Sequence, residues 1–238
     1  GKEVLVLNHS SIDPELTGKS CSFWHFMFDA NTAMRMQAIA NYIKTQPEIR
    51  KVFLLNQDYA HGKQWASFGR SMVGKARPDV QFVGETLHPM GRIKDFAPYV
   101  AKIKEAGTDS VITGNWGQDL ALLLKSAGDS GYNLRYFNHS AGGFPGTVTA
   151  VSQAKTGQVT WVAEWHPGQA DTPKVDALAK AYGVLVLEDN PYGDLRFEGE
   201  HVPAIKSLDE DGIVLYAGTF SKVLSPGIRV GYAIGPAA

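Results

Sequence analysis

The sequence has almost no cysteine and no long apolar run. Cys21 is the single cysteine among 238 residues, so no disulfide can form within the chain, and we expect a small buried or half-buried side chain there. No apolar stretch approaches the ~20 residues that a membrane-spanning helix needs. Because the chain enters a strand pattern at once, we also expect no signal peptide. We therefore expect neither a disulfide framework nor a membrane partner.

The chain also lacks an excess of charge of either sign. It has 23 Lys and Arg against 24 Asp and Glu, and the basic residues are scattered rather than gathered in a run. Because nucleic-acid-binding proteins carry basic patches, no nucleic-acid partner is expected, and no metal site is predicted. Hydrophobic residues make up 44% of the chain, which is typical of a globular protein.

Short apolar runs alternate along the chain with amphipathic stretches. Strands are predicted over residues 4–10, 52–56, 80–87, 110–114, 134–138, 158–165, 184–189, 213–218 and 230–235. Helices are predicted over 31–46, 65–76, 96–107, 119–131 and 172–183. The alternation indicates an α/β fold: a mostly parallel sheet with helices on both faces, in three Rossmann-like layers.

Three motifs mark the first part of the chain: PELTG (14–18), DYAHG (58–62) and IKEAGTDSVITGNWGQD (103–119). With them, residues 1 to about 170 resemble the type 1 periplasmic solute-binding proteins of branched-chain amino acid ABC transporters. Those proteins hold a ligand between two lobes. By this resemblance, VLVLNHSS (4–11) is the last strand of a first lobe that is otherwise absent, and 31–165 is a complete second lobe.

The resemblance implies a wall for an amino-acid ligand. On the second lobe it would consist of Tyr59, the loop Asn115–Trp116 and the loop 139–142, and Ser10 and Ser11 would face it. All of these residues follow the carboxyl ends of predicted strands, where open α/β sheets bind ligands. The alternative is that they are ordinary loop residues, because one lobe encloses little of a ligand.

Two further motifs, EDNPYGDLRF (188–197) and GTFSKVLSPGIRVGY (218–232), belong to another kind of protein. With them, residues from about 175 to 236 resemble fold-type I pyridoxal-phosphate aminotransferases of the aminoadipate and kynurenine branch. Such enzymes need a Schiff-base lysine, a carboxylate on the pyridine nitrogen and phosphate-binding groups. The resemblance assigns these roles to Lys222 (Schiff base), Asp189 (pyridine nitrogen), Tyr192 (ring hydroxyl), and Thr219, Ser221 and Arg229 (phosphate).

Most of the aminotransferase is missing from the sequence. By the resemblance, the glycine–serine helix start that binds the phosphate, the aromatic residue that stacks on the ring and the arginine that binds the substrate carboxylate are all absent. The chain is therefore expected not to be an enzyme and to have no cofactor, with an imine between Lys222 and pyridoxal phosphate as the alternative.

The two resemblances meet inside the predicted helix TPKVDALAKAYG (172–183), with no linker between them. Together with the abrupt ends, this predicts an engineered chimera of domains 1–172 and 173–238, built to test recombination of α/β fragments and lacking an evolved function. A misassembled gene and a natural hybrid are the alternatives. No natural compartment is expected, only recombinant cytoplasmic expression.

Strand pairing and self-association are two further expectations. In the aminotransferase fold a parallel strand separates those matching 184–189 and 213–218, and it is missing here. We expect VLVLNHSS to fill the gap, unless the two strands close it themselves. Exposed edges and apolar patches predict a homodimer and no specific partner.

Overall fold

The computed structural model describes residues 4–132, 134–141, 145–154, 158–162, 180–181, 183–190, 203–220, 224–225 and 230–235. The chain divides into two compact units, Gly1–Glu164 and Trp165–Ala238. In the described residues the first unit has parallel strands with helices between them, and the second has one parallel and one antiparallel strand pair, so the predicted α/β class with a mostly parallel sheet is confirmed. No helix within the described ranges is long and apolar enough to span a bilayer.

The first unit contains a five-stranded parallel sheet in the order β4-β3-β5-β6-β7. Its strands are β3 (Lys51–Gln57), β4 (Gln81–His88), β5 (Ser110–Ile112), β6 (Arg135–Asn138) and β7 (Gln158–Trp161). Its helices are α1 (Thr32–Lys44), α2 (Ala60–Phe68), α3 (Gly74–Ala76), α4 (Ala97–Glu105), α5 (Gly117–Asp129) and α6 (Pro145–Ala154), with a π-helical turn, Gly69–Val73, joining α2 to α3.

Two apolar clusters lie on opposite faces of this sheet. Val52 and Leu54 of β3 belong to the cluster that includes α1 and α2, whereas Phe53 and Leu55 belong to the cluster that includes α4 and α5. Successive side chains of a strand point to opposite faces, so a run of buried apolar residues requires cover on both. The predicted three-layer arrangement is therefore present in the first unit.

Local sequence signals explain where the helices of this unit begin and end. The Asn31 side chain accepts a hydrogen bond from the Met34 amide at 3.0 Å and caps α1. Pro98 lies in the first turn of α4, and Gly107 follows that helix with φ +62°, a conformation that glycine adopts without strain. Helix α2 begins at Ala60, five residues before its predicted start.

One expectation about the first unit is wrong, and two of its elements were not predicted. Cys21 is exposed. Strand β2 (His25–Met27) and helix α6 were not predicted, because β2 has only three residues and the α6 sequence, PGTVTAVSQA, is rich in Thr and Val and poor in helical periodicity. Strand β1 (Val6–Asn8) pairs in parallel with β2, in a sheet of its own.

The second unit contains a three-stranded sheet in the order β10-β9-β8. Strand β8 (Val186–Asp189) pairs in parallel with β9 (Val214–Thr219), and β10 (Gly231–Ile234) pairs antiparallel to β9. The expectation that VLVLNHSS would lie between β8 and β9 is wrong: these strands pair directly, Val186 against Val214. Strand β1 finds its partner about 20 residues along the chain, where loop closure costs less entropy.

Of the predicted helix 172–183 at the junction, only residues 180 and 181 are described, and both are helical. The rest of that helix, with its predicted N-cap, lies outside the described residues.

Candidate functional site: a cleft in the first unit

A cleft of about 630 Å³ opens in the first unit. Several chain segments meet there: the loop after β1, the residue Asp29 before α1, the starts of α2 and α5, and the loop after β6. The lining residues are Ser10, Ser11, Ile12, Asp13, Asp29, Arg35, Tyr59, Ala60, His61, Trp116, His139 and Ser140. The starts of α2 and α5 and the loop after β6 follow the carboxyl ends of parallel strands, the usual place for a ligand in an α/β sheet.

Four of the five residues predicted for ligand binding meet in this cleft: Ser10, Ser11, Tyr59 and Trp116. The fifth, Asn115, is fully buried and does not line it. Its side-chain oxygen lies 3.0 Å from His88 Nε2. The loop at 139–142 contributes His139 and Ser140, while its last residue lies outside the described part of the chain.

Two helices start at the cleft without a side-chain cap. Tyr59 precedes α2 and Trp116 precedes α5, both in extended backbone conformation. The Trp116 indole Nε1–H donates to the Tyr59 hydroxyl at 2.9 Å. Burial raises the pKa of Tyr59, and the Trp116 hydrogen bond offsets part of that rise. The cleft therefore presents a neutral phenol between two helix N-termini, which carry partial positive charge.

A buried ion pair fixes one wall. Arg35 is 7% exposed and donates to Asp29 Oδ1 at 2.5 Å. Its other nitrogens donate to the Ala30 carbonyl oxygen at 3.0 Å and to the His139 carbonyl oxygen at 2.7 Å. Arg35 thereby ties α1 to the loop after β6, and its charge is neutralised by Asp29. Neither residue was predicted from the sequence, since an isolated arginine on a predicted helix gives no functional signal.

Two histidines lie side by side at the bottom of the cleft. The ring centroids of His61 and His139 are 4.5 Å apart. Burial, and then the Arg35 charge, lower the pKa of His61 to about 4, while the nearby Gly114 backbone and Asp13 act in the opposite direction. Burial, His61 and Arg35 hold the pKa of His139 well below its usual value. Both imidazoles are therefore neutral at neutral pH.

A layer of buried amides supports the loop that carries Trp116. Asn138 Nδ2 donates to the carbonyl oxygens of Thr113 and Asn115, at 2.7 and 2.8 Å. Asn56 Oδ1 accepts from the Gly114 amide at 2.6 Å. Since these amides satisfy the backbone of residues 113–115, the position of Trp116 is set by side chains beneath the cleft.

The aminotransferase motifs are only partly described. Asp189 is exposed at the end of β8, opposite Ala217 of β9, and the half-buried Thr219 lies two residues further along β9 at the same end of the strand pair. Tyr192, Ser221, Lys222 and Arg229 lie outside the described residues. Within the described ranges, no group of three or more His, Cys, Asp or Glu could hold a metal ion.

Two family models match the chain. The model of the periplasmic binding protein family matches residues 1–192, and the model of class I and II aminotransferases matches residues 169–238. Among curated proteins, the Leu/Ile/Val-binding protein homolog 4 of Brucella abortus is 39% identical over 138 residues, which are 57% of this chain and 32% of that protein. The aromatic-amino-acid aminotransferase 1 of Thermococcus litoralis is 56% identical over 55 residues, which are 23% of this chain and 13% of the enzyme.

Among solved structures, the closed leucine-, isoleucine-, valine-, threonine- and alanine-binding protein of Brucella ovis is 31% identical, with a TM-score of 0.64. The match covers 75% of this chain and 45% of that protein, so the chain spans less than half of it. The chain likewise spans about a third of the curated binding protein from Brucella abortus. Over residues 1–192 the chain belongs to the periplasmic binding protein family, and over 169–238 it continues into a class I and II aminotransferase segment, so that its composition is chimeric.

Proposed function

We propose that this chain is an engineered recombinant of two α/β fragments, without evolved enzymatic activity, and that weak ligand binding in the cleft is its remaining chemistry. The overlap of the two family matches supports a recombinant, because residues 169–192 fit both and include the predicted helix 172–183. An exchange inside a helix common to both parents keeps the hydrophobic pattern of each. A fusion of complete domains would place a flexible linker there instead.

Two features of the described part of the aminotransferase segment argue against a pyridoxal phosphate site. The Asp189 side chain is exposed, whereas a carboxylate that holds a pyridinium proton acts most strongly where water is excluded. The Thr219 hydroxyl donates to the Val230 carbonyl oxygen at 3.3 Å. The segment also corresponds to only 13% of the Thermococcus enzyme. We therefore derive no catalytic step through this cofactor.

A transamination assay tests the absence of enzymatic activity. The protein is incubated with pyridoxal phosphate, L-2-aminoadipate and 2-oxoglutarate, and glutamate formation is compared with that of Lys222→Ala. We expect equal, background rates. A rate that Lys222→Ala abolishes would contradict the proposal. The visible imine band is recorded in the same samples, and a band specific to Lys222 without turnover would support cofactor binding as the second candidate function.

The cleft is the part of the molecule best suited to bind a ligand. The observation that supports binding is the meeting of Ser10, Ser11, Tyr59 and Trp116 around one cavity. We propose a small amino acid as the ligand, on the basis of the 31% identical Brucella ovis protein, which is named for binding five of them. An evolved pocket buries about 70% or more of its ligand, so a cleft lined mainly by one lobe should bind weakly, with a Kd on the order of 1 mM.

Calorimetry with L-leucine tests this binding. We expect a shallow isotherm for the wild type and its loss in Trp116→Ala, which removes the indole from the cleft wall. Tyr132→Phe is the matched control, because its hydroxyl donates to the Thr108 carbonyl oxygen and Tyr132 is not a cleft residue. A flat wild-type titration at millimolar leucine would show that the cleft binds no such ligand.

A further inference from the structure

Three ring nitrogens at the bottom of the cleft lack a hydrogen-bond partner among the described residues: His61 Nε2, Trp65 Nε1 and His139 Nδ1. The three rings are neighbours, with centroid distances of 4.5 Å between the histidines, 5.1 Å from Trp65 to His139 and 5.7 Å from Trp65 to His61. Trp65 is fully buried and His139 is 7% exposed. We call these three residues the ring cluster.

Such a cluster is unusual, because nearly all buried polar groups in folded proteins are hydrogen-bonded. The charged groups of the cleft wall are paired: Arg35 with Asp29, and Asp13 with the side-chain nitrogen of Gln64 at 2.8 Å. Other buried atoms without a partner, among them Asn56 Nδ2 and Asn115 Nδ2, lie on separate side chains, whereas the ring cluster has three such nitrogens on neighbouring rings. Two of its members, His61 and His139, line the cavity, and Trp65 packs directly behind them, so the cluster adjoins the space that a ligand would occupy.

The hydrogen bonds of Thr32 determine which ring nitrogen of His61 carries the proton. The Thr32 hydroxyl donates its single hydrogen to the Ile12 carbonyl oxygen at 2.9 Å. Its oxygen lies 3.4 Å from His61 Nδ1 and can then only accept, so Nδ1 carries the proton of the neutral imidazole. His61 Nε2 is left with a lone pair and is an acceptor. Trp65 Nε1–H, in contrast, can only donate.

A hydroxyl group matches this combination, since it donates one hydrogen and accepts at its oxygen. It can donate to His61 Nε2 and accept from Trp65 Nε1–H. A carboxylate oxygen would be repelled by the lone pair of His61 Nε2, because both are acceptors. An ammonium group would be repelled by the hydrogen of Trp65 Nε1, because both are donors. A neutral hydroxyl also costs less to bury than either charged group.

We infer that the ring cluster is a hydroxyl subsite, which makes the cleft prefer a hydroxyl-bearing amino acid such as threonine over its apolar isostere valine. The inference rests on the proposed binding of small amino acids in the cleft and adds the feature that selects among them. Threonine and valine have nearly the same shape, so the difference between their affinities isolates the hydroxyl.

The first test uses the wild-type protein alone, titrated with L-threonine and L-valine near neutral pH, where both imidazoles are neutral. A hydrogen-bonded hydroxyl should make threonine bind about two- to tenfold more tightly. Equal affinities would overturn the hydroxyl subsite but leave the proposed binding function intact. If neither amino acid binds at millimolar concentration, the binding function fails and the subsite fails with it.

The second test removes the polar atoms and keeps the rings. In His61→Phe and His139→Phe, the preference for threonine should fall towards onefold while valine binds at least as tightly as before. His25→Phe is the matched control, because His25 lies in β2 and does not line the cleft. Melting curves establish that each variant is folded. A preference that survives in both cleft variants would contradict the assignment.

Discussion

The Trp116 indole donates to the Tyr59 hydroxyl at 2.9 Å and so joins the starts of two helices that follow different strands. Tyr59→Phe removes the acceptor while keeping the ring. We expect a loss of up to about 1 kcal/mol in the free energy of unfolding, because a neutral hydrogen bond contributes little net stability. Ligand affinity in the cleft should fall as well, because Trp116 is no longer held. Urea unfolding and calorimetry measure the two effects.

Tyr132→Phe is the control for this comparison. Its hydroxyl also makes one hydrogen bond, to the Thr108 carbonyl oxygen at 2.8 Å, but away from the cleft. It should lose similar stability and keep its ligand affinity. Equal losses of affinity in both variants would mean that the Tyr59–Trp116 bond has no special part in binding.

Asn138→Ala tests the support of the same loop from below. Asn138 is fully buried, and its side-chain nitrogen donates hydrogen bonds to the carbonyl oxygens of Thr113 and Asn115. Removing it leaves two buried acceptors unpaired, so we expect a loss of about 2–4 kcal/mol in the free energy of unfolding. Trp116 fluorescence should shift because the loop moves. An unchanged urea midpoint would contradict this account.

The sequence predicted the sheet of the first unit well, because its inner strands β3 and β5 are buried on both faces and have continuous apolar runs. Residues that follow strand ends, such as Tyr59 and Trp116, were equally accessible to prediction. The ring cluster was not, because His61 and His139 are 78 positions apart and become neighbours only through the parallel pairing of the strands before them. The direct pairing of β8 with β9 was only the alternative expectation, since the sequence does not determine which strand occupies a given position in a sheet.

Two glycines provide a paired test of close packing. A Cβ on Gly62, in α2, would lie 1.9 Å from the Gln57 carbonyl oxygen, a backbone atom that cannot move aside. Gly62→Ala should therefore cost about 3 kcal/mol or more in the free energy of unfolding. A Cβ on Gly74, at the start of α3, would lie 3.7 Å from the Phe82 ring, an ordinary contact. Gly74→Ala should be neutral or stabilise by up to about 1 kcal/mol. Similar midpoints for the two variants in urea would refute the packing argument.

The paired histidines should make the protein less stable as the pH falls. The pKa of His61 is lowered to about 4 in the folded state, and the pKa of His139 is also well below its ordinary value. The unfolded chain, with His pKa values near 6.5, then binds more protons than the folded chain between about pH 6.5 and pH 4. Stability is therefore complete above about pH 6.5 and is lost progressively as the pH falls towards 4.

The charged groups around the two rings are Arg35, Asp13 and Asp29. The ion pair of Asp79 with Arg77 lowers the pKa of Asp79, so the stability that it contributes is lost only at lower pH. Urea midpoints measured from pH 7.5 to 4.5 should fall in the wild type and fall less in a His61→Phe, His139→Phe double variant. If the urea midpoints of the two proteins fall equally with pH, groups other than the two histidines cause the acid sensitivity.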